Sequence, residues 1–334
     1  MAEAYIDVVV PAYNEADDIA DCLDSILEQD TERPFSVLVV DDGSTDETPE
    51  ILAEYEREHE RLRVVTKETN RGYGDTIRRG FEESTADIVC FVDGDSIVAP
   101  GSLAAVVEDY EAGADAVFGY VDVRNDDRLH GLYCKVGKRH DPDKRYGGAL
   151  MSVRREVLED LGGFLDVENR GSQDVEIKTR LRKSDYDVVF EDDAKVFSRF
   201  PEGWRNVMRQ KFRAGKTHVI YSSQHPENFD PGIVVNTGYY AALLASVLAS
   251  VVFPPAVVAV LLLAVLFFHE HGPRGLEMYR ASGSLRMGLL FFPYALAAGY
   301  VRTAGYLSEW RKLLSLLRRQ WSTGARGEDP NPPG

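Results

Sequence analysis

Short apolar runs alternate with longer amphipathic stretches through the N-terminal part of the chain. The apolar runs predict strands buried on both faces, and the amphipathic stretches have the length of helices. The predicted strands are Tyr5 to Val10, Phe35 to Val40, Leu62 to Thr66, Ile88 to Val92 and Ala116 to Tyr120. The predicted helices are Ala16 to Gln29, Thr45 to His59, Tyr73 to Ser84 and Gly101 to Ala112. This alternation indicates an α/β fold, with a mostly parallel sheet covered by helices on both faces.

The pattern is less regular further along the chain. Residues 121–147 are charged and lack clear periodicity, which predicts a long loop or insertion. A strand to Val153 and a helix from Arg154 to Leu161 are expected next. Residues 203–224 begin with an amphipathic, basic helix that suits either a membrane surface or the surface of a soluble domain. At the second predicted helix, Ser44-x-x-Glu47 has the form of a capping box.

The C-terminal part predicts a membrane region. No charged residue occurs from Tyr239 to Phe268, and one helix of that length would span about 45 Å, more than the hydrocarbon core of about 30 Å. Because Pro254-Pro255 interrupts the stretch, we expect a hairpin of two short spans, about 235–253 and 255–269. A third apolar segment, about 286–307, leaves two or three crossings open. The predicted division is a soluble domain over 1–225, a membrane region over 234–310 and a basic, then disordered, tail over 311–334.

Charge differs strongly between the two parts. Up to residue 229 the chain has 49 acidic and 29 basic residues, and beyond it 6 and 9. Such an acidic N-terminal part excludes nucleic acid as the main partner. The basic residues are 28 Arg and 10 Lys, which together with the acid excess is typical of proteins kept soluble in high salt, and we expect a halophilic archaeal source. Three scattered Cys residues predict no disulfide or zinc site, and no export signal is expected at the N-terminus.

Polar side chains follow three of the predicted strands. Tyr13 to Glu15 follow the first strand, Asp41-Asp42 end the second, and Asp93-Gly94-Asp95 follow the fourth. Each cluster alone could be an ordinary turn, but in a parallel sheet all three meet at one edge, where ligands bind. A diphosphate leaving group needs a cation to stabilise it, and hard oxygen ligands suit Mg²⁺ or Mn²⁺. The sequence therefore predicts a cation site at this edge.

Five segments together resemble the family 2 glycosyltransferases over roughly residues 5–220. They are, in order, VVVPAYNEADDIADCLDSIL, VLVVDDGSTDET, NRGYGDTIRRGF, IVCFVDGDSIVAPGSL and GGFLDVENRGSQDVEIKTRL. The resemblance implies a GT-A fold, a UDP- or GDP-linked sugar donor, a divalent metal and inversion at the anomeric carbon. It also implies that Asp95, with Asp93 possible, binds the metal. The residues implied to bind the nucleotide sugar are Pro11, Ala12, Tyr13, Glu15, Asp41, Asp42, Asn70, Arg71 and Asp93.

The resemblance makes Asp174 the general base that takes a proton from the acceptor hydroxyl. Gln173 stands where the family usually has Glu, so the pKa of Asp174 is expected to be raised less than in a Glu-Asp pair. Two alternatives stay open at this point: Asp174 could instead cap the following helix, and Glu176 could serve as the base.

The processive members of the family have Gln-x-x-Arg-Trp. Here Gln210 and Arg213 are followed by Ala214, so an aromatic platform for a growing chain is missing and addition of one sugar is expected. Gln173, Gln210 and Arg213 are weaker candidates for contact with the acceptor or the diphosphate.

These inferences predict a multi-pass enzyme of the cell membrane with a cytoplasmic catalytic domain. The expected acceptor is a polyprenyl or dolichyl phosphate-linked saccharide, in protein N-glycosylation or surface glycan assembly. One alternative is a synthase that places a sugar directly on polyprenyl or dolichyl phosphate. An alternative of another class is a non-catalytic scaffold that binds nucleotide sugar. The oligomeric state is open.

Overall fold

The structure is a computed structural model that describes residues 5–140, 146–164, 173–226 and 229–324. The chain divides into two compact units, residues 1–126 with 137–200, and residues 127–136 with 201–334. The strands are β1 Ile6–Ala12, β2 Phe35–Asp41, β3 Leu62–Thr66, β4 Ile88–Val92, β5 Ser96–Val98, β6 Ala116–Val123, β7 Tyr146–Arg154 and β8 Val188–Ser198. The first seven helices are α1 Ile19–Leu27, α2 Thr48–Glu58, α3 Tyr73–Glu83, α4 Ser102–Ala112, α5 Leu129–His140, α6 Arg155–Asp160 and α7 Gln173–Arg182. The remaining helices are α8 Trp204–Gln224, α9 Gly232–Val252, α10 Val257–Ser282, α11 Leu285–Ser308 and α12 Trp310–Gly324.

Within the described residues, the strands of the first unit form one sheet in the order β3-β2-β1-β4-β7-β6-β8-β5. Pairing is parallel for β1 with β2 and β4, for β2 with β3, and for β6 with β8. It is antiparallel for β7 with β4 and β6, and for β5 with β8. The sheet is therefore mixed, and because only β5 and β7 run against the other described strands, the prediction of a mostly parallel sheet is confirmed. Since β1, β2, β3, β4, β6 and β8 run in one direction, their carboxyl ends still meet at the same edge.

The strands are continuous apolar runs because helices cover both faces of the sheet. Val8 and Val10 of β1 lie in a core with Leu23 of α1 and Leu52 of α2, while Val9 lies in a second core with residues of α3, α6 and α7. Successive side chains of a strand point to opposite faces, so a strand between two helix layers buries every residue. Each buried Val contributes about 1.5–3 kcal/mol, which fixes the strand ends that carry the polar clusters.

The structure corrects the prediction of a long loop over residues 121–147. The strand β6 continues to Val123, and Leu129–His140 form α5; residues 141–145 lie outside the described residues. Leu132 and Val136 of this helix are buried with Leu129 and Tyr133 beside them. These four positions have helical spacing, so the pattern was present and was obscured by the charged residues around it.

The predicted capping box is also wrong. The helix α2 begins at Thr48, and its preceding residue, Glu47, makes no side-chain cap hydrogen bond. The Ser44 hydroxyl instead donates to Asp41 Oδ1 at 2.6 Å. Ser44 therefore supports the strand end and not the helix start.

In the described part of the second unit, two helices are long and apolar enough to cross a membrane by length and composition. They are Gly232–Val252, with a mean hydropathy of 1.5, and Pro254–Ser282, with 1.7. A 3₁₀ turn at Pro254–Ala256 separates α9 from α10, as the proline pair predicts. Only 17% and 6% of their apolar windows are buried, which distinguishes them from core helices of a soluble protein.

The third predicted apolar segment became α11, which is not one of these two helices. It packs along α8, and the two backbones touch at a pair of glycines. A Cβ atom on Gly215 would lie 2.2 Å from Arg302 O, and one on Gly305 would lie 2.2 Å from Phe212 O. Val207 and Met208 of α8 lie in a core cluster with residues of α11, although Trp204 stays 58% exposed.

Candidate active site

The first two polar clusters meet where β1 and β2 end side by side. Ala12 pairs with Asp41, and Asp42 N donates to Ala12 O at 2.8 Å. Asn14 has a φ of 56°, a left-handed conformation that Asn tolerates better than most residues. Its side-chain oxygen accepts a hydrogen bond from Thr45 N at 2.8 Å. This link between the two strand ends fixes the loop that carries Tyr13 and Glu15.

The third cluster lies against the same loop. A Cβ atom on Gly94 would be 3.0 Å from Pro11 O and 3.6 Å from Glu15 Cγ, so glycine lets Asp93 and Asp95 approach β1 closely. The structure therefore brings together Pro11, Ala12, Tyr13, Glu15, Asp41, Asp42, Asp93 and Asp95. Tyr13 is 41% exposed, which leaves an aromatic surface at the edge for a ligand to contact.

Asp41 and Asp42 are buried and have different partners. Asp41 Oδ1 accepts hydrogen bonds from Ser44 N and Oγ, and its Oδ2 has no partner in the described residues. Asp42 accepts from Arg71 N at 2.8 Å and Gly72 N at 2.7 Å. It also pairs with Lys67 Nζ at 2.5 Å. Asp42 thus holds the β3–α3 loop, including Asn70 and Arg71, at the edge of the site.

The sequence reasoning missed Lys67, which is 11% exposed and bridges two carboxylates. Its Nζ lies 2.5 Å from Asp42 Oδ1 and 2.7 Å from Asp75 Oδ2. It missed Tyr73 as well, whose hydroxyl donates to Asp93 Oδ1 at 2.8 Å. Tyr73 lies within the quoted NRGYG segment, which offered a signal for it, whereas no local pattern links Lys67 to Asp42 and Asp75.

The carboxylates of Glu15, Asp18, Asp93 and Asp95 lie close together at this edge, and burial raises the pKa of Glu15 and of Asp95. The pKa of Glu15 is raised to about 8 by burial and then by the negative charges of Asp95, Asp18 and Asp93. The pKa of Asp95 is raised to about 6, again by burial first and then by Asp18. A site that disfavours its own negative charge is one that a cation would stabilise.

Asp18 and two arginines were not predicted. Asp18 Oδ1 pairs with Arg124 Nη1 at 3.1 Å, and Asp18 Oδ2 pairs with Arg199 Nη1 at 2.9 Å. Arg124 directly follows β6 and Arg199 directly follows β8. Both arginines therefore lie at strand ends, as the acidic residues do. They could not be predicted from the sequence, because the predicted β6 strand ended too early and β8 was not predicted.

The predicted base lies at the margin of the described structure. Gln173 and Asp174 begin α7, and their side chains lie outside the described residues. Glu176, the alternative base, is 2% exposed, and Arg180 Nη2 donates to its Oε2 at 2.6 Å. Burial and the pairing with Arg180 count against Glu176 as the base.

The weaker candidates Gln210 and Arg213 belong to α8 in the second unit. Gln210 Oε1 lies 3.1 Å from His130 Nε2, a contact within that unit. Arg213 is exposed. Their contact with acceptor or diphosphate stays a prediction. Within the described ranges, no three His, Cys, Asp or Glu side chains are close enough together to hold a metal ion unaided.

The mixed α/β sheet with an acidic carboxyl edge defines a GT-A-type fold. It is similar to the structure of the mannosyltransferase PcManGT from Pyrobaculum calidifontis, with a TM-score of 0.56 over 93% of this chain and 88% of that chain at 21% identity. It is also similar to residues 1–349 of TarS from S. aureus, with a TM-score of 0.50 over 67% and 66% of the two chains at 20% identity. At these identities the likeness establishes the fold.

Sequence comparison identifies the domain that carries these residues. Residues 7–161 match the model of Glycosyl transferase family 2, so the chain carries a family 2 domain and is a glycosyltransferase. It is 27% identical over 225 residues to glycosyltransferase AglE of Haloferax volcanii, covering 64% of this chain and 73% of AglE. It is 23% identical over 222 residues to a poly-beta-1,6-N-acetyl-D-glucosamine synthase of Staphylococcus epidermidis, covering 62% of this chain and 53% of the synthase. The aligned part thus spans about half the length of that synthase.

Proposed function

We propose that the chain transfers one sugar, with inversion, from a UDP- or GDP-linked donor to a saccharide carried on a polyprenyl or dolichyl phosphate lipid. The observation that carries this proposal is the gathering of Glu15, Asp93 and Asp95 at the carboxyl edge of a GT-A sheet in a family 2 domain. The family membership counts against a non-catalytic scaffold.

The carboxylate oxygens at this edge are suitable ligands for Mg²⁺ or Mn²⁺. Asp95 and Asp93 offer hard oxygen ligands, and the neighbouring carboxylates disfavour further negative charge unless a cation is present. Because the described side chains do not enclose a metal by themselves, oxygens of the donor would complete its ligand set. When bound there, the ion would neutralise charge on the departing diphosphate. The similar PcManGT structure is a complex with GDP-Man and Mn²⁺.

We assign the general base to Asp174. An inverting displacement needs a base on the side of the sugar opposite the leaving group, and Asp174 stands on α7, an element separate from β4 and Asp95. The paired state of Glu176 supports this choice over the alternative. Ala214 in place of the family's Trp supports addition of one sugar.

Attachment to a membrane is supported by the exposed apolar helices of the second unit. Val252, Leu262 and Val265 are 88%, 62% and 65% exposed, an apolar surface that lipid would cover. A lipid-linked acceptor also agrees with a partial relative, the dolichyl-phosphate beta-glucosyltransferase ALG5C of Trichomonas vaginalis, 33% identical over 101 residues, covering 28% of this chain and 30% of ALG5C. We place the catalytic domain, residues 1–225, on the cytoplasmic side, where nucleotide sugars are made.

The test uses purified full-length chain with lipid extract, UDP- and GDP-sugars, and either Mg²⁺, Mn²⁺ or a chelator, with products identified by mass spectrometry. Asp174→Asn should lower kcat by roughly 10²–10⁴-fold, since a positioned base contributes about that much. Asp30→Asn, at an exposed position, is the matched control. Full activity of D174N would instead favour the synthase alternative, because an ionised phosphate acceptor needs no base. Transfer that persists unchanged with a chelator would contradict the cation requirement.

A further inference from the structure

Two arginines share one buried carboxylate at the edge of the site. Asp18, at the start of α1, pairs with Arg124 at 3.1 Å and with Arg199 at 2.9 Å. Arg124 also pairs with the exposed Asp21 at 2.7 Å. The Asp18 side chain is 9% exposed, while those of Arg124 and Arg199 are 32% and 41% exposed. The cations are therefore accessible to a ligand, and the anion that holds them is not.

Strand register places both guanidinium groups next to the acidic cluster. Ser96 of β5 pairs with Ser198 of β8 in antiparallel register, and their hydroxyls are 2.7 Å apart. The next position along each strand brings Asp95 alongside Arg199. Ser198 also pairs with Val123 of β6, and Arg124 N donates to Ser198 O at 2.9 Å. Arg199 thus lies beside Asp95, while Arg124, which follows β6, lies on the other side of β8. Both guanidinium groups contact Asp18, and the positive charge of Arg199 partly offsets the rise in the pKa of Asp95 that burial causes.

We propose that Arg124 and Arg199 bind the diphosphate of the donor, and that Asp18 holds both guanidinium groups at the sheet edge when no diphosphate is present. The inference rests on the proposed function and adds two binding residues to it. Guanidinium groups form paired, charge-assisted hydrogen bonds to phosphate oxygens. A diphosphate presents more acceptor oxygens than the one carboxylate of Asp18, so it can accept more hydrogen bonds from the two arginines than Asp18 does.

The arrangement also suits the leaving group. As the acceptor oxygen bonds to the anomeric carbon and its proton passes to the base, the bond from that carbon to the phosphate oxygen breaks. Its electron pair stays on the nucleoside diphosphate, where negative charge increases. Fixed donors aimed at such charge are among the larger contributions to catalysis. Arg199, beside Asp95, is placed to supply them together with a bound cation.

The experiment measures binding of UDP and GDP, and of the matching monophosphate and nucleoside, to the full chain in detergent with Mg²⁺ by calorimetry. Arg199→Ala should weaken binding of the diphosphate that the parent prefers by tenfold or more and leave nucleoside binding unchanged. Arg124→Ala should weaken binding of the same diphosphate. Arg199→Lys keeps the positive charge but loses the paired N–H donors of the guanidinium, so its affinity should lie between those of the parent and R199A. Arg33→Ala, which breaks the exposed pair with Glu111, is the control and should bind as the parent does.

Equal binding of the diphosphate by the parent and R199A would overturn this inference while leaving the proposed function intact. Loss of nucleoside and diphosphate binding in equal proportion would show a structural role and also overturn it. A parent that binds neither UDP nor GDP would overturn the proposed function itself.

Discussion

The buried bridge of Lys67 makes a sharp prediction about how the nucleotide edge is held. Lys67 Nζ contacts Asp42 at 2.5 Å, Asp75 at 2.7 Å and the Thr76 hydroxyl at 3.2 Å. Lys67→Met keeps the length of the side chain and removes the charge. It leaves Asp42, which is 3% exposed, without its only described ion-pair partner. We therefore expect a large loss of stability in the first unit.

The expected loss in the free energy of unfolding depends on which hydrogen-bond and ion-pair partners Asp42 and Asp75 retain in K67M. Removing one partner of a buried ion pair costs about 3–5 kcal/mol. Asp42 would retain the N–H groups of Arg71 and Gly72, and Asp75 would retain Arg78 at 2.6 Å. These remaining donors favour the lower end, about 3 kcal/mol. For a unit of this size, 1 kcal/mol shifts Tm by about 2–4 °C, so Tm should fall by about 6–12 °C.

The cysteines of the chain provide an assay specific to the first unit. Cys22 and Cys90 are buried free thiols in that unit, and Cys134 is in the second. In a Cys134→Ser background, reaction of a thiol-specific fluorophore during heating reports exposure of the first unit alone. The same assay is applied to the full chain in detergent for parent and K67M.

The matched control is Arg33→Met, which breaks the exposed pair with Glu111 at 2.7 Å. Exposed pairs contribute about 0–1 kcal/mol, so its Tm should stay close to that of the parent. If K67M melted within about 2 °C of R33M, less than 1 kcal/mol would separate them, and the view that Lys67 fixes the edge through Asp42 would be refuted.

Two further predictions concern Glu15 and the glycine crossing. The pKa of Glu15 is raised from 4.5 to about 8, so between these values the unfolded chain releases a proton that the folded chain keeps, and stability falls as pH rises. Glu15→Gln should therefore raise Tm more at pH 8 than at pH 5 by circular dichroism, and an equal change at both would contradict the shift. Gly215→Ala should cost about 1–3 kcal/mol, because its Cβ would lie 2.2 Å from Arg302 O. Gly238→Ala, with nothing within 4 Å, should not destabilise, and equal Tm values for both would refute the close crossing.

The sequence by itself determined the strand ends and the residue types placed there. Apolar runs such as Val8 to Val10 and Ile88 to Val92 are local signals, because a strand covered on both faces buries every side chain. The polar residues that follow them, Glu15, Asp41 and Asp93 among them, could be assigned to one edge since the shared direction of the first four strands follows from the alternating pattern. The break at Pro254-Pro255 was equally local, since proline cannot continue a helix.

Only the tertiary structure decided which groups neutralise one another at that edge. Asp18 and Arg199 are 181 positions apart in the chain, and they meet because β8 pairs with β5 and β6, a register that no local pattern specifies. The antiparallel direction of β7 was missed for the same reason, whereas α5 was missed because charged residues obscured its local helical spacing. Lys67 looked like an ordinary charged residue until the fold enclosed it between Asp42 and Asp75. The local sequence determines which side chains are available at each strand end, whereas long-range packing determines which charged groups are buried together. Burial strengthens the electrostatic interactions between those groups because the protein interior has a lower dielectric constant than water.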